Sequence, residues 1–166
     1  MNNKTTTTNT NPTPSLQGRA GEGLPSGAGE GLEGRLGLDL GLLLTPHFTL
    51  QEMVRSGMAL RHGIDNTPRP EHVAALRRLC EDVLEPLRRR FGRIIVTSGY
   101  RSPELNRLVG GVPTSQHLRG EAADLHVSSQ AAGQRMADYI RQNLPHRQVL
   151  LEHRHGTSVW WVHVGR

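Results

Sequence analysis

An aspartate stands in the middle of an apolar run, Ala122-Ala123-Asp124-Leu125-His126-Val127. In an extended strand side chains alternate, so Asp124 and His126 point to one face and Ala123 and Leu125 to the other. A carboxylate buried in such a strand must be paired or bound to a metal, so the chain has to fold something over it. Ala122 and Ala123 are small enough to let another element approach, and Gly120 lets the chain turn so that His117 folds back over Asp124. A second histidine, His163, lies on a later apolar segment between Val162 and Val164, which face the core if the histidine faces a cleft. Two imidazoles and one carboxylate are the donor set that holds a catalytic zinc through three protein ligands, leaving a fourth position open. His126 is the competitor: it shares the face of Asp124 and can replace either Asp124 or His163 as a ligand.

The rest of the chain divides in two. Residues 1–44 are a Thr/Asn tract followed by Gly-rich sequence in which Gly-Glu-Gly-Leu recurs, without a sustained apolar period. That segment reads as a disordered or low-complexity tail, dispensable for the fold. Residues 45–166 carry the patterns of a folded domain. Thr49 with Glu52 gives a capping-box pattern for a short helix through about Ser56, and Gly63 to Pro70 reads as a loop. Val73, Leu76, Leu79, Val83, Leu84 and Leu87 recur at helical spacing between Pro70 and Arg90, with a kink or early end expected at Pro86. Arg93 to Thr97 reads as a strand and Ser98 to Pro103 as a turn into a short helix ending near Val109. Then come a strand at Ala122 to Val127 and a helix at Gln130 to Asn143. Gln148 to Glu152 and Val159 to Val164 suggest an antiparallel hairpin turning at Gly156. The order argues for an α+β domain, a small antiparallel sheet with helices packed on one side.

Charge and composition remove other classes. The formal net charge is +5, which suits anionic partners. Aromatic residues make up only 4%, and no helix-turn-helix, finger or stacking motif accompanies the arginines, so nucleic acid is not expected. No apolar run reaches the ~20 residues of a membrane span, and no secretory signal is recognisable. The lone Cys80 excludes an internal disulfide and sits in an apolar helix register, as a small core residue would. A monomer is expected.

Three segments together resemble the zinc D-alanyl-D-alanine carboxypeptidase family: Ser98-Gly99-Tyr100-Arg101, the Ser-x-His-x-x-Gly-x-Ala-x-Asp motif of 115–124, and Trp161-Val162-His163. The likeness is greatest to the C-terminal-type domains found in phages and prophages, and it covers about residues 46–166. It implies the fold shared by these D,D-peptidases and the hedgehog signalling domain. It also implies hydrolysis of a D-amino-acid-containing bond in the peptidoglycan stem peptide. His117, Asp124 and His163 match the zinc ligands, Arg101 the arginine that steadies substrate or oxyanion, and Ser115 a substrate-pocket position. The site of action would be the cell wall or periplasm, with the protein cytoplasmic until released.

The general base departs from some relatives. The dipeptidase branch has an acid three residues before the last zinc histidine, where this chain has Trp160. Glu152, in Leu150-Leu151-Glu152, is the replacement if the last two strands pair; His153 and His155 compete but suit a surface turn. The alternative of another class is a non-catalytic, zinc-containing module that binds wall polymer or protein, which Trp160 in place of an acid favours.

Overall fold

The computed structural model describes residues 39–166. They begin with a small antiparallel sheet, β1 (Leu43–Thr45) and β2 (Phe48–Thr49). α1 (Leu50–Val54) follows directly because Thr49 Oγ1 accepts from the Glu52 N–H at 3.2 Å, the cap expected from the sequence. α2 (Gly57–His62), absent from the sequence reading, is capped by Ser56 and closed by Gly63. Its short length leaves too few apolar positions to show a period.

The long amphipathic segment is α3 (Pro70–Leu79), a π-helical turn (Cys80–Leu84) and α4 (Glu85–Phe91). Pro86 has no N–H to give, and its ring crowds the carbonyl four residues back. Instead of the expected kink or early end, the turn before it widens, with the Glu85 N–H reaching the Cys80 carbonyl, and the helical path continues.

The second sheet has four strands in the order β3-β4-β6-β5, all antiparallel: β3 (Val96–Ser98), β4 (Ala122–Val127), β5 (Gln148–His153) and β6 (Trp160–Gly165). α5 (Pro103–Leu108) and a 3-10 turn (Gln116–Arg119) lie between β3 and β4, and α6 (Gln130–Asn143) between β4 and β5. Two small sheets with helices make an α+β fold, one sheet more than the sequence suggested. The core gathers Leu76, Leu79, Val83, Leu84 and Leu87 with Met136, Ala137 and Ile140 of α6. Against them pack Ala123, Leu125, Val162 and Val164 of the sheet. Each fully buried leucine contributes roughly 1.5–3 kcal/mol. Cys80 is part of this core, and its burial pushes the thiol pKa up, as an inert packing residue requires.

The expected tail, 1–44, lies outside the described residues as far as residue 38. Its last residues do not follow the expectation. Leu44 is 1% exposed, Leu40 and Leu42 pack against the core, and the Leu50 N–H donates to the Leu42 carbonyl at 2.9 Å. Arg77 Nη1 reaches the Leu44 carbonyl at 2.7 Å. Folded structure therefore begins before Thr45. A three-residue strand beside Gly41 is too short to register as an apolar alternation.

Just beyond, His47 Nδ1 lies 2.9 Å from Glu85 Oε2, and the His47 N–H donates to Glu85 Oε1. Burial alone would raise the Glu85 pKa, but the hydrogen bonds from the His47 side chain and backbone outweigh it and hold the pKa below the ordinary 4.5. A depressed carboxylate pKa stabilises the fold above the unfolded value, and that contribution is lost as pH falls through the folded one. The stability difference between wild type and Glu85→Gln should thus be full at neutral pH and shrink on acidification below about 4.5; a pH-independent difference in urea midpoints would contradict this. Leu44→Ala should cost roughly 2–5 kcal/mol in the same titration, whereas an unchanged midpoint would restore the tail boundary at residue 44.

Candidate metal centre

Asp124 occupies the third position of β4, between Ser98 of β3 and His163 of β6. Directly paired residues of a sheet project to the same face, so the register itself sets His163 beside Asp124. Its Nδ1 lies 2.9 Å from Asp124 Oδ1, while Val162 and Val164 turn into the core as the sequence pattern required.

His117 arrives from the 3-10 turn, which ends at Gly120 with φ of 71°. A Cβ there would lie 2.7 Å from the His72 carbonyl oxygen, so both the backbone angle and the close approach to α3 call for glycine. His117 Nε2 comes within 3.3 Å of Asp124 Oδ1. Its other nitrogen, Nδ1, lies 2.6 Å from the Gly99 carbonyl oxygen. A carbonyl only accepts, so Nδ1 carries a proton toward Gly99 and Nε2 is the nitrogen left to face the carboxylate, with a proton on it in the metal-free site and with its lone pair if a metal takes that proton's place. Two acceptors this close are held together by a proton or a cation between them. Fixing the tautomer from behind in this way is how proteins prepare a metal-binding histidine. Gly99 is itself pinned: a Cβ would meet the Met53 carbonyl oxygen at 2.3 Å, and the Tyr100 N–H donates to that same oxygen.

The three donor atoms lie within 4.8 Å of one another, and all three residues are largely buried. The donor set therefore fits zinc, which takes imidazole nitrogen and carboxylate oxygen at about 2.0–2.2 Å. Asp124 Oδ1 faces the two histidines, and Oδ2 accepts from Arg101 Nη2 at 2.6 Å. Arg101 Nε donates to Ser98 Oγ at 2.8 Å, and its backbone N–H to the His117 carbonyl. Burial opposes the charge on Asp124. The hydrogen bonds from His117 and His163, with the charges of His117 and Arg101, prevail and hold its carboxyl well below the usual carboxylate range. The site is thus prepared with an ionised oxygen.

The structure brings together the three residues named as ligands and sets Arg101 against them. His126 pairs with Trp161 one step along β4 and is exposed in the cleft wall, outside the donor cluster. Glu152 pairs with Trp161 on the other side, on the same face as His163, and its Oε2 accepts from Trp161 Nε1 at 2.8 Å. Ser115 heads the 3-10 turn, half-buried, and the cleft lining includes Ser98, Arg101 and Asp124 but not Ser115. Trp160 stacks on His153 with ring centroids 4.8 Å apart, and His153 and His155 are exposed. Two features lay beyond sequence reasoning: the Gly99 carbonyl behind His117 and the Trp161 indole on Glu152. Both lie inside motifs the sequence displays, but the spacing does not say which atom does what. A cleft of about 500 Å³ opens on Asp124 and Arg101.

A family model described as Peptidase M15 matches residues 46–165, and the chain belongs to that peptidase family. No curated protein matches the chain.

Metal analysis of His117→Ala should show most of the bound zinc lost, and retention of a full equivalent would transfer the ligand role to another histidine. Gly120→Ala should lower the stability of the metal-free protein by roughly 1–3 kcal/mol through its left-handed backbone; an unchanged melting temperature would contradict the packing of this turn on α3.

Proposed function

We propose that this M15 peptidase hydrolyses a D-amino-acid-containing peptide bond of the peptidoglycan stem peptide, with zinc held by His117, Asp124 and His163. The observation that carries the reading is the convergence of these three donors, one tautomer fixed from behind, at the edge of an open cleft. The wall-peptide substrate is supported by the order of the three motifs at 98–101, 115–124 and 161–163. Action at the cell wall or periplasm follows from that substrate. No helix among the described residues is long and apolar enough to cross a membrane.

Zinc in this position supplies a Lewis acid for the scissile carbonyl and lowers the pKa of water. The chain's own groups do the rest. Glu152, steadied by the Trp161 indole, takes the proton of the attacking water and returns it to the leaving amine. Arg101 keeps Asp124 ionised and turned toward the histidines, and its position at the cleft suits it to stabilise negative charge developing on the substrate. Ser115, outside the cleft lining, acts on the site only as the head of the turn that carries His117. The rival, a zinc-containing binding module, rests on Trp160 standing where relatives place an acid.

Glu152→Gln keeps shape and hydrogen bonding while removing basicity. Turnover on a stem peptide should fall by roughly 100- to 10,000-fold, with zinc content and melting temperature unchanged. Wild-type turnover in this variant would place the base elsewhere, and a zinc-loaded wild type that cleaves no stem peptide would establish the binding module. Trp161→Phe, which deletes only the N–H on Glu152, should lower kcat while leaving zinc content intact; an unchanged kcat would remove Trp161 from the catalytic account.

A further inference from the structure

We infer that the cleft beside the metal centre accepts a peptide bearing a free carboxylate, and that Arg55, Arg61 and Arg154 form the subsite that receives it. The ligand's being a peptide rests on the function proposed above; its negative charge rests on the cleft alone.

The three arginines come from separate turns. Arg55 follows α1, Arg61 lies in the last turn of α2, and Arg154 follows β5. The fold collects them, exposed, along the same cleft that Arg101 and Asp124 enter. Among the described residues of that lining Asp124 is the only acidic one, and its two oxygens are engaged by His117, His163 and Arg101. No carboxylate of the described residues pairs with Arg55, Arg61 or Arg154; the side-chain partner of Arg61 is the Met58 sulfur at 4.0 Å. Some arginines elsewhere find acids, Arg119 with Glu121, Arg141 with Asp138 and Arg166 with Asp82, and others such as Arg88, Arg89 and Arg90 do not; what sets Arg55, Arg61 and Arg154 apart is that they line one cleft together. The cleft therefore gathers positive charge from three separate turns with no counter-charge of its own.

Such an arrangement focuses positive potential on whatever enters, most strongly between low-dielectric walls. Trp160 and Trp161 supply those walls. A guanidinium presents a planar fork that matches a carboxylate in two parallel hydrogen bonds. The carboxylate can be the C-terminal group of the peptide or an acidic side chain within it.

Both tryptophans of the chain line the cleft, so intrinsic fluorescence reports on its occupancy without hydrolysis. The metal-free full chain is titrated with a peptide containing D-glutamate and ending in D-Ala-D-Ala. Three forms are compared: the free acid, the C-terminal amide and the side-chain amide. The variants are Arg55→Gln/Arg154→Gln and Arg61→Gln, with melting temperatures verifying that these exposed changes leave the fold intact. Amidation of one of the two carboxylates should weaken wild-type binding by roughly tenfold or more, and the double variant should weaken free-acid binding to the same extent. On that amidated peptide the variant should show no further loss, the signature of a direct pair, and the amide that does so identifies the carboxylate. Binding of the free acid should also weaken with added salt more than binding of that amide. Equal affinity for all three peptides, independent losses from amidation and mutation, or no wild-type binding would overturn the inference. Arginine-dependent binding without cleavage after zinc loading would refute the peptidase reading and leave the subsite standing. Cleavage indifferent to the arginines would do the reverse.

Discussion

A single buried carboxylate governs this fold. Asp124 sits on an inner strand, 8% exposed, and an isolated ionised group there would be too costly to keep. Its charge is tolerated because Arg101, His117 and His163 converge on it from three different segments. Removing one partner of a buried pair of this kind costs about 3–5 kcal/mol, so these residues hold the sheet, the 3-10 turn and the loop after β3 to one another. The same convergence makes the site useful. What balances the aspartate without metal is what would surround a divalent cation, so binding one would be coupled to folding.

The sheet separates stability from chemistry. One face, through Ala123, Leu125, Val162 and Val164, is covered by the long helical segment and α6. The other carries Asp124, His163 and, one pair further along, His126, Trp161 and Glu152 in neighbouring rows. Because strand side chains alternate, the two functions occupy the same strands without interfering. The cleft walls are supplied in part by the segment after α1, by α2 and by the turn between β5 and β6, through exposed side chains such as Arg55, Arg61 and Arg154.

Much of this was legible in the sequence. The helix Gln130–Asn143 is capped by Ser129, whose Oγ accepts from the Ala132 N–H, and its amphipathic period is long enough to mark both ends. β4 and the β5–β6 hairpin showed themselves through β-branched and alternating residues flanking Gly156. The clustering of His117 and His163 about Asp124 was legible because an aspartate in an apolar strand needs an explanation. What escaped is local or tertiary. β1 and α2 are too short to carry a period, and the boundary at residue 44 failed because Leu40, Leu42 and Leu44 owe their burial to distant packing partners. The widened turn at Cys80–Leu84 records a conflict between Pro86 and a helix that packing keeps intact. The expected place of Ser115 in the substrate pocket depends on a side-chain direction that no motif spacing conveys.

The central claim is that Asp124, His117 and His163 share one zinc ion through Oδ1, Nε2 and Nδ1. Diffraction from zinc-loaded crystals on either side of the zinc absorption edge tests it most directly. The account predicts one strong anomalous peak per chain within about 2 Å of those three atoms, with His117 Nδ1 still bonded to the Gly99 carbonyl. A peak centred on His126 or on the His153–His155 turn, or none at the Asp124 cluster, would contradict it.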